Sequence, residues 1–165
     1  MPTSMIAERL HLFLQEHHIA HEVMEQPAGS GGVPPTLADD EDGAVPVTAW
    51  VLAIGEQYAL LVLPTGQPPA IGLLNQRNTG RRIRLASEAE IRHLFPDCEP
   101  EAVPPCGELY GVPVYISDEL APAKVFFCVA GRTDTWLRLD RNAFERLAQP
   151  HWLALPPAGT DEHVF

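Results

Sequence analysis

Between residues 112 and 148 the chain sets three short β-rich runs and a capped helix behind a proline-rich turn, and that order limits the folds open to it. Val112 to Ile116, Val125 to Val129 and Thr135 to Leu139 carry the branched and aromatic side chains that favour strands. Asp140 then stands where a helix N-cap belongs, ahead of Phe144 and Leu147. With helices at the ends and between hairpins, a strand-rich order favours a mixed α/β (α+β) domain over a doubly wound sheet.

The first half reads the same way. Ser4 is placed to cap a helix whose apolar positions Ile6, Leu10, Phe13 and Leu14 fall at helical spacing and which ends near His18. A short strand is expected at Glu22 to Glu25. Residues 27 to 46 hold so much Gly, Pro and acid that they read as a long loop. Val47 to Ala53 and Tyr58 to Leu63 are β-rich runs joined by Ile54-Gly55-Glu56-Gln57, which predicts a hairpin. Ile83 to Leu85 is another short strand. Ser87 and Glu90 match a capping box, opening a helix through Ile91, Leu94 and Phe95 that Pro96 stops. Residues 1–150 are expected to form the domain and 151–165 a C-terminal tail.

At 165 residues, one domain buries roughly 70% of the surface its unfolded chain exposes, enough for a core without metal or disulfide staples. The N-terminus lacks a basic stretch followed by an apolar one, and no apolar run approaches the roughly 20 residues that span a bilayer. A soluble, cytoplasmic protein without membrane contact is the expectation. Cys98, Cys106 and Cys128 are an odd number without a C-x-x-C pair, as suits reduced thiols in a reducing compartment.

The formal net charge is −11, and a protein that grips nucleic acid by its phosphates needs a basic surface instead. Much of the acid lies in local runs at Asp39 to Asp42 and Asp161 to Glu162. Arg77, Arg81, Arg82 and Arg84 form the one basic cluster, within which Arg81 and Arg82 are the candidate nucleic-acid contacts. His17, His18 and His21 have no matching carboxylate or cysteine spacing for a metal, and the acidic run lacks the glycine and final glutamate of a calcium loop. No phosphate loop, dinucleotide fingerprint or Ser-His-Asp cue appears, so neither metal nor cofactor is expected.

From Arg82 to Pro105 the sequence RIRLASEAEIRHLFPDCEPEAVPP gives a strand, a capped helix and a proline turn; Gly107 and LYGVPVYIS follow, then VFFCVAG ending on Ala130 and Gly131, then AFERLAQP. In this order and spacing the chain resembles the YbaK/ProX family, small aminoacyl-tRNA editing domains also found inserted in bacterial prolyl-tRNA synthetases. The likeness covers roughly residues 5 to 150 and is strongest from 82 to 148. It implies a central mixed, barrel-like sheet flanked by helices. It also implies hydrolysis of the ester joining a wrong small amino acid to the terminal ribose of tRNA, so the aminoacyl-tRNA 3′ end is the implied partner.

Departures accompany the likeness, among them the long loop at 27–46 where family members tend to place a helix and Cys106 where the family often has an apolar residue. Where the family usually has a functional lysine this chain has Thr48, and its one lysine is Lys124. Thr133 stands where many members have a histidine, and Glu101 where a glycine commonly begins the turn. Thr48, Gly131 and Thr133 are therefore the candidate catalytic positions. Val103, Pro104, Pro105, Cys106, Gly107 and Ala130 are the candidate pocket lining, with Ala130 and Gly131 expected to offer backbone N–H groups. Thr48, Gly131 and Thr133 are expected to converge on one cleft beside the Val103 to Gly107 turn. Two functions stay open: a trans-acting aminoacyl-tRNA deacylase, or a non-catalytic regulatory module binding a small amino-acid-like ligand or a protein partner on the same fold.

Overall fold

A long strand shared by two halves of one sheet organises the structure, a computed structural model that describes residues 8–25, 44–77, 82–132 and 135–153. In chain order the elements are α1 (Glu8–Glu16), β1 (Glu22–Glu25), β2 (Ala44–Ile54), β3 (Gln57–Pro64), α2 (Ile71–Arg77), β4 (Ile83–Leu85), α3 (Glu88–Leu94) and α4 (Gly107–Tyr110). Then come β5 (Val114–Ser117), a 3₁₀ turn at Asp118–Leu120, β6 (Val125–Val129), β7 (Thr135–Asp140), α5 (Arg141–Ala148) and β8 (His151–Leu153). The sheet runs β1-β7-β6-β2-β3-β5-β8, and β4 also pairs with β2. It is mixed, because β2 with β6, β3 with β5, and β5 with β8 are parallel and the other pairs antiparallel. The expected mixed sheet flanked by helices is what the chain forms.

Local signals set several elements. The β2–β3 hairpin turns on Gly55 at φ 63°, the first central position of a two-residue loop, where a type II′ turn needs a positive φ. Ser87 accepts from the Glu90 N–H while the Glu90 side chain accepts from the Ser87 N–H, the full capping box on α3. Asp140 accepts from the Ala143 N–H and starts α5.

Strand alternation then sorts side chains to two faces. Phe126 and Cys128 of β6 point into the main core, where Phe126 stacks on Phe144 of α5 at 4.2 Å between ring centroids. Val125 and Phe127 pack with Trp136 on the other face. A further apolar cluster joins Leu52, Leu61, Leu63 and Ile83 to Ile71 and Leu74 of α2. Asn75 of α2 acts as a strand neighbour, its amide donating to the Ile83 carbonyl at 2.8 Å and accepting from the Ile83 N–H at 2.7 Å.

Three boundaries differ from the sequence reading. Ala44–Pro46, read as the end of a loop, form the first residues of β2 because β6 pairs alongside them. His151–Leu153, assigned to the tail, form β8 beside β5. The strand expected from Val112 begins at Val114, since Val112 and Pro113 complete the turn after α4. Ser4, Ile6, the acidic run at Asp39 to Asp42, Arg81, Thr133, Asp161 and Glu162 lie outside the described residues. Among the described residues no helix is long and apolar enough to cross a membrane.

Candidate functional site

The site follows from how β2 is shared. β3 covers one edge of β2. On the other edge β6 pairs with Ala44–Pro46 and β4 with Leu52–Ile54, so residues 47–51 have no strand opposite them there among the described residues. Below β4 the chain closes the gap only partly, through an Ala86 N–H donated to the Val51 carbonyl at 2.9 Å.

A cleft of about 360 Å³ opens at this gap. Thr48, Ala49, Trp50 and Val51 line it from β2, Leu85, Ala86 and Ile91 from β4 and α3, and Pro100 and Glu101 from the turn that follows. Its volume is in the range of about 300–1,000 Å³ typical of small-molecule sites, and its walls are mostly apolar. The Thr48 and Thr65 hydroxyls lie 3.0 Å apart; one donates to the other, which leaves one hydroxyl hydrogen for a ligand or a water.

A second, more open cleft of about 800 Å³ adjoins the first, sharing Pro100 and Glu101 and adding Asp97, Cys98, Gly131 and Arg132. Thr48 and Gly131 therefore line neighbouring clefts with a common wall. The turn between them is tightly held. The Ala102 N–H donates to the Glu99 carbonyl at 2.9 Å, the Glu99 N–H to the Gly131 carbonyl at 2.8 Å, and the Gly131 N–H to the Ala102 carbonyl at 2.9 Å. Gly131 sits at φ 100°, a conformation that glycine adopts without steric cost.

That network engages the Ala130–Gly131 loop, whose amides the sequence offers as donors to a ligand. The Gly131 N–H is spent on Ala102, and the Ala130 N–H on the Thr135 carbonyl at 3.1 Å. Neither amide is presented to a ligand. The expected lining at Val103, Pro104, Pro105, Cys106 and Gly107 is buried, as is Ala130, and none of these residues lines either cleft. These residues anchor the turn from beneath. Gly107 is glycine for packing, since a Cβ there would meet the Val112 carbonyl oxygen at 2.1 Å.

Two buried side-chain atoms, Trp50 Nε1 and Asp97 Oδ2, have no hydrogen-bond partner among the described residues. Trp50 lines the smaller cleft and Asp97 the larger. An unmet buried donor or acceptor costs about 1–3 kcal/mol, and such groups in native folds call for a functional or structural explanation. The sequence alone does not single out Trp50 or Thr65. Trp50 was within reach, because two residues along a strand return to the same face as Thr48; the Thr48–Thr65 pair spans the hairpin and has no local sequence signal.

No thiol here is primed for nucleophilic attack. Burial pushes Cys98 and Cys106 up to about 12 and raises Cys128 as well, so the reactive thiolate is scarce near neutral pH. In the basic cluster, Arg84 donates twice to Glu90, at 2.8 Å each, and the Tyr58 hydroxyl donates to Glu90 at 2.7 Å. The Arg84 hydrogen bonds, then those from Ser87 and Tyr58, hold the Glu90 carboxyl well below the usual carboxylate range. Arg84 is thus committed within the protein, while Arg82 is exposed.

The model of a protein family, the aminoacyl-tRNA editing domain, matches residues 41–147, a span that contains both clefts and the strand carrying Thr48. The chain belongs to that family. Solved structures agree on the fold of this editing domain. A candidate trans-editing enzyme for prolyl tRNA synthetase superposes with a TM-score of 0.76 at 19% identity, covering 94% of this chain and 99% of the other. A designed scaffold protein for presenting linear epitopes gives 0.75 at 17% identity, covering 92% and 97%. A candidate signal transduction protein from Marinobacter aquaeolei VT8 gives 0.65 at 13% identity, covering 89% of this chain and 30% of that longer one. Comparison with curated protein sequences yields no match.

Proposed function

We propose that the editing domain hydrolyses the ester between a small amino acid and the terminal ribose of tRNA, in the cleft on the edge of β2 between its β6 and β4 pairings. The observation that carries this reading is the coincidence of a ligand-sized, apolar-walled cleft with Thr48, the position where the family resemblance places a functional lysine.

Chemistry makes the assignment reasonable. A binding pocket discriminates a missing methylene by only about 1–3 kcal/mol, so a second site that hydrolyses what fits it raises fidelity. An aminoacyl ester is already activated. Its hydrolysis needs a positioned water, donors for the developing oxyanion and a hold on the substrate, and no strong nucleophile. The Thr48–Thr65 pair supplies one hydroxyl hydrogen, and Leu85, Ala86 and Ile91 supply an apolar wall for a small side chain. Thr133, outside the described residues, remains a candidate for a further hydroxyl. Lacking the lysine charge, the site is slow: a lost charge-assisted hydrogen bond of about 1.5–3 kcal/mol corresponds to roughly 10- to 150-fold in rate.

A specific observation also favours the alternative, a non-catalytic module. The Ala130 and Gly131 amides that would stabilise an oxyanion are both engaged within the fold. One experiment separates the two. Purified protein and an Ala86→Phe variant, which fills the cleft, are incubated with tRNAs mischarged with alanine, serine or cysteine. Slow ester loss above the buffer rate, abolished by Ala86→Phe in a folded protein, is the expected result. Loss at the buffer rate across the panel, beside an active control deacylase, would leave the binding-module reading.

A further inference from the structure

The smaller cleft has one ionisable side chain in its lining among the described residues, Glu101, and it is negative. The rest of the lining is apolar apart from the Thr48 hydroxyl and the Trp50 indole N–H. The main chain that carries it is held in place, since the three backbone hydrogen bonds joining Glu99, Ala102 and Gly131 bracket residue 101 and Pro100 restricts the turn ahead of it. An anion held at the rim of an apolar cleft favours a ligand with one cationic group next to a small apolar body.

An aminoacyl ester has that shape. Its ester and ribose are neutral, its side chain is small, and its α-amine is protonated below a pKa that is about 7.7–8 for an unperturbed α-amino group. We propose that Glu101 is a specificity residue that pairs with the α-ammonium group of the bound ester, so that the cleft accepts free aminoacyl esters and rejects N-acylated ones. The assignment rests on the editing reading above and adds to it the substrate class: the α-amine must be free. The companion change at Thr48 acts in the same direction, because a hydroxyl on β2 adds no like charge to the cleft wall facing Glu101.

The test uses two stable probes, 3′-(L-alanylamino)-3′-deoxyadenosine and its N-acetyl derivative, titrated calorimetrically at pH 6.5 into the wild-type protein and the Glu101→Gln variant. Glu101 is exposed, so the variant is expected to melt with the wild type, which a thermal scan verifies. The wild type should bind the free amine about threefold to fivefold more tightly, as suits an ion pair with an exposed carboxylate. Glu101→Gln should bring the two probes to equal affinity. Equal binding of both by the wild type, or a preference that survives Glu101→Gln and so arises from the bulk of the acetyl group, overturns the assignment while leaving the ester site in place. Binding of neither probe removes the assignment together with the editing reading beneath it.

Discussion

Thr48 and Glu101 set the electrostatic sign of the cleft, and each is open to a single substitution. On the proposed ester site Thr48→Lys would put an ammonium group beside the ester, and deacylation measured in single turnover is expected to rise about tenfold. The gain stays at the low end because Glu101, on the same cleft, takes part of the new charge. An unchanged rate would mean that the strand position does not touch the ester. Gly107 answers to packing alone: with the Val112 oxygen at 2.1 Å from a built Cβ, Gly107→Ala is expected to cost about 3 kcal/mol in denaturant unfolding, as overpacking in a rigid turn does. A loss below about 1 kcal/mol would show that the turn yields. Of these residues the sequence made Thr48 and Glu101 visible as departures from a family pattern. The sequence offers Gly107 and Cys106 as lining, and both are buried beneath the turn; glycine and a small thiol suit a pocket wall and a tight interior contact equally well, and at Gly107 the nearness of Val112 supplies a packing reason.

The Glu99–Ala102 turn and the Gly131 corner behave as a unit, joined by paired backbone hydrogen bonds. Gly131→Ala forces a side chain into φ 100° and is expected to lower stability by about 1–2 kcal/mol. It should also loosen the hold on Glu101, so the variant loses its preference for the free-amine probe even where it remains folded; a retained preference would uncouple the corner from the turn. Helix α3 depends on its cap, and Ser87→Ala should cost about 1 kcal/mol in chemical denaturation. Elements such as these were legible in the sequence because their signals are local: Ser87 with Glu90, Asp140 with Ala143, Gly55 in its hairpin. Ala44–Pro46 and β8 were not, since each becomes a strand only beside a partner distant in sequence, β6 and β5. Helix α2 escaped for a similar reason. Ile71-Gly72-Leu73-Leu74 is a weak helix former, and its anchoring comes from Ile71 and Leu74 on the Leu52–Leu61 cluster and from the Asn75 amide on Ile83.

For the molecule as a whole, the buried thiols contribute, with the buried Tyr110 hydroxyl, to a loss of stability at alkaline pH. Cys98 and Cys106 are raised to about 12 in the folded state from an unfolded value of about 8.5. The native state then binds more protons than the unfolded one between these values, so their contribution is intact below about pH 8.5 and is lost as pH rises toward 12. Melting temperature should fall across that interval, and Cys106→Ser should not reproduce the wild-type profile; a flat wild-type curve would contradict the burial of the thiols. Binding of tRNA is constrained by the net charge of −11 and by the commitment of Arg84 to Glu90. With Arg77, Arg81 and Arg82 left as candidates for phosphate contact, the logarithmic salt slope should be shallow, about −2 to −3, and Arg82→Gln should reduce it by about one.

An aminoacyl ester site on the edge of β2 between β6 and β4 is tested most directly by nuclear magnetic resonance mapping of 3′-(L-alanylamino)-3′-deoxyadenosine on labelled protein. Shifts should gather at Thr48, the Trp50 indole N–H, Ala86, Ile91 and Glu101. Shifts confined to the separate groove lined by Tyr58, Tyr110 and Tyr115, with Thr48 and Trp50 unmoved, would contradict the account.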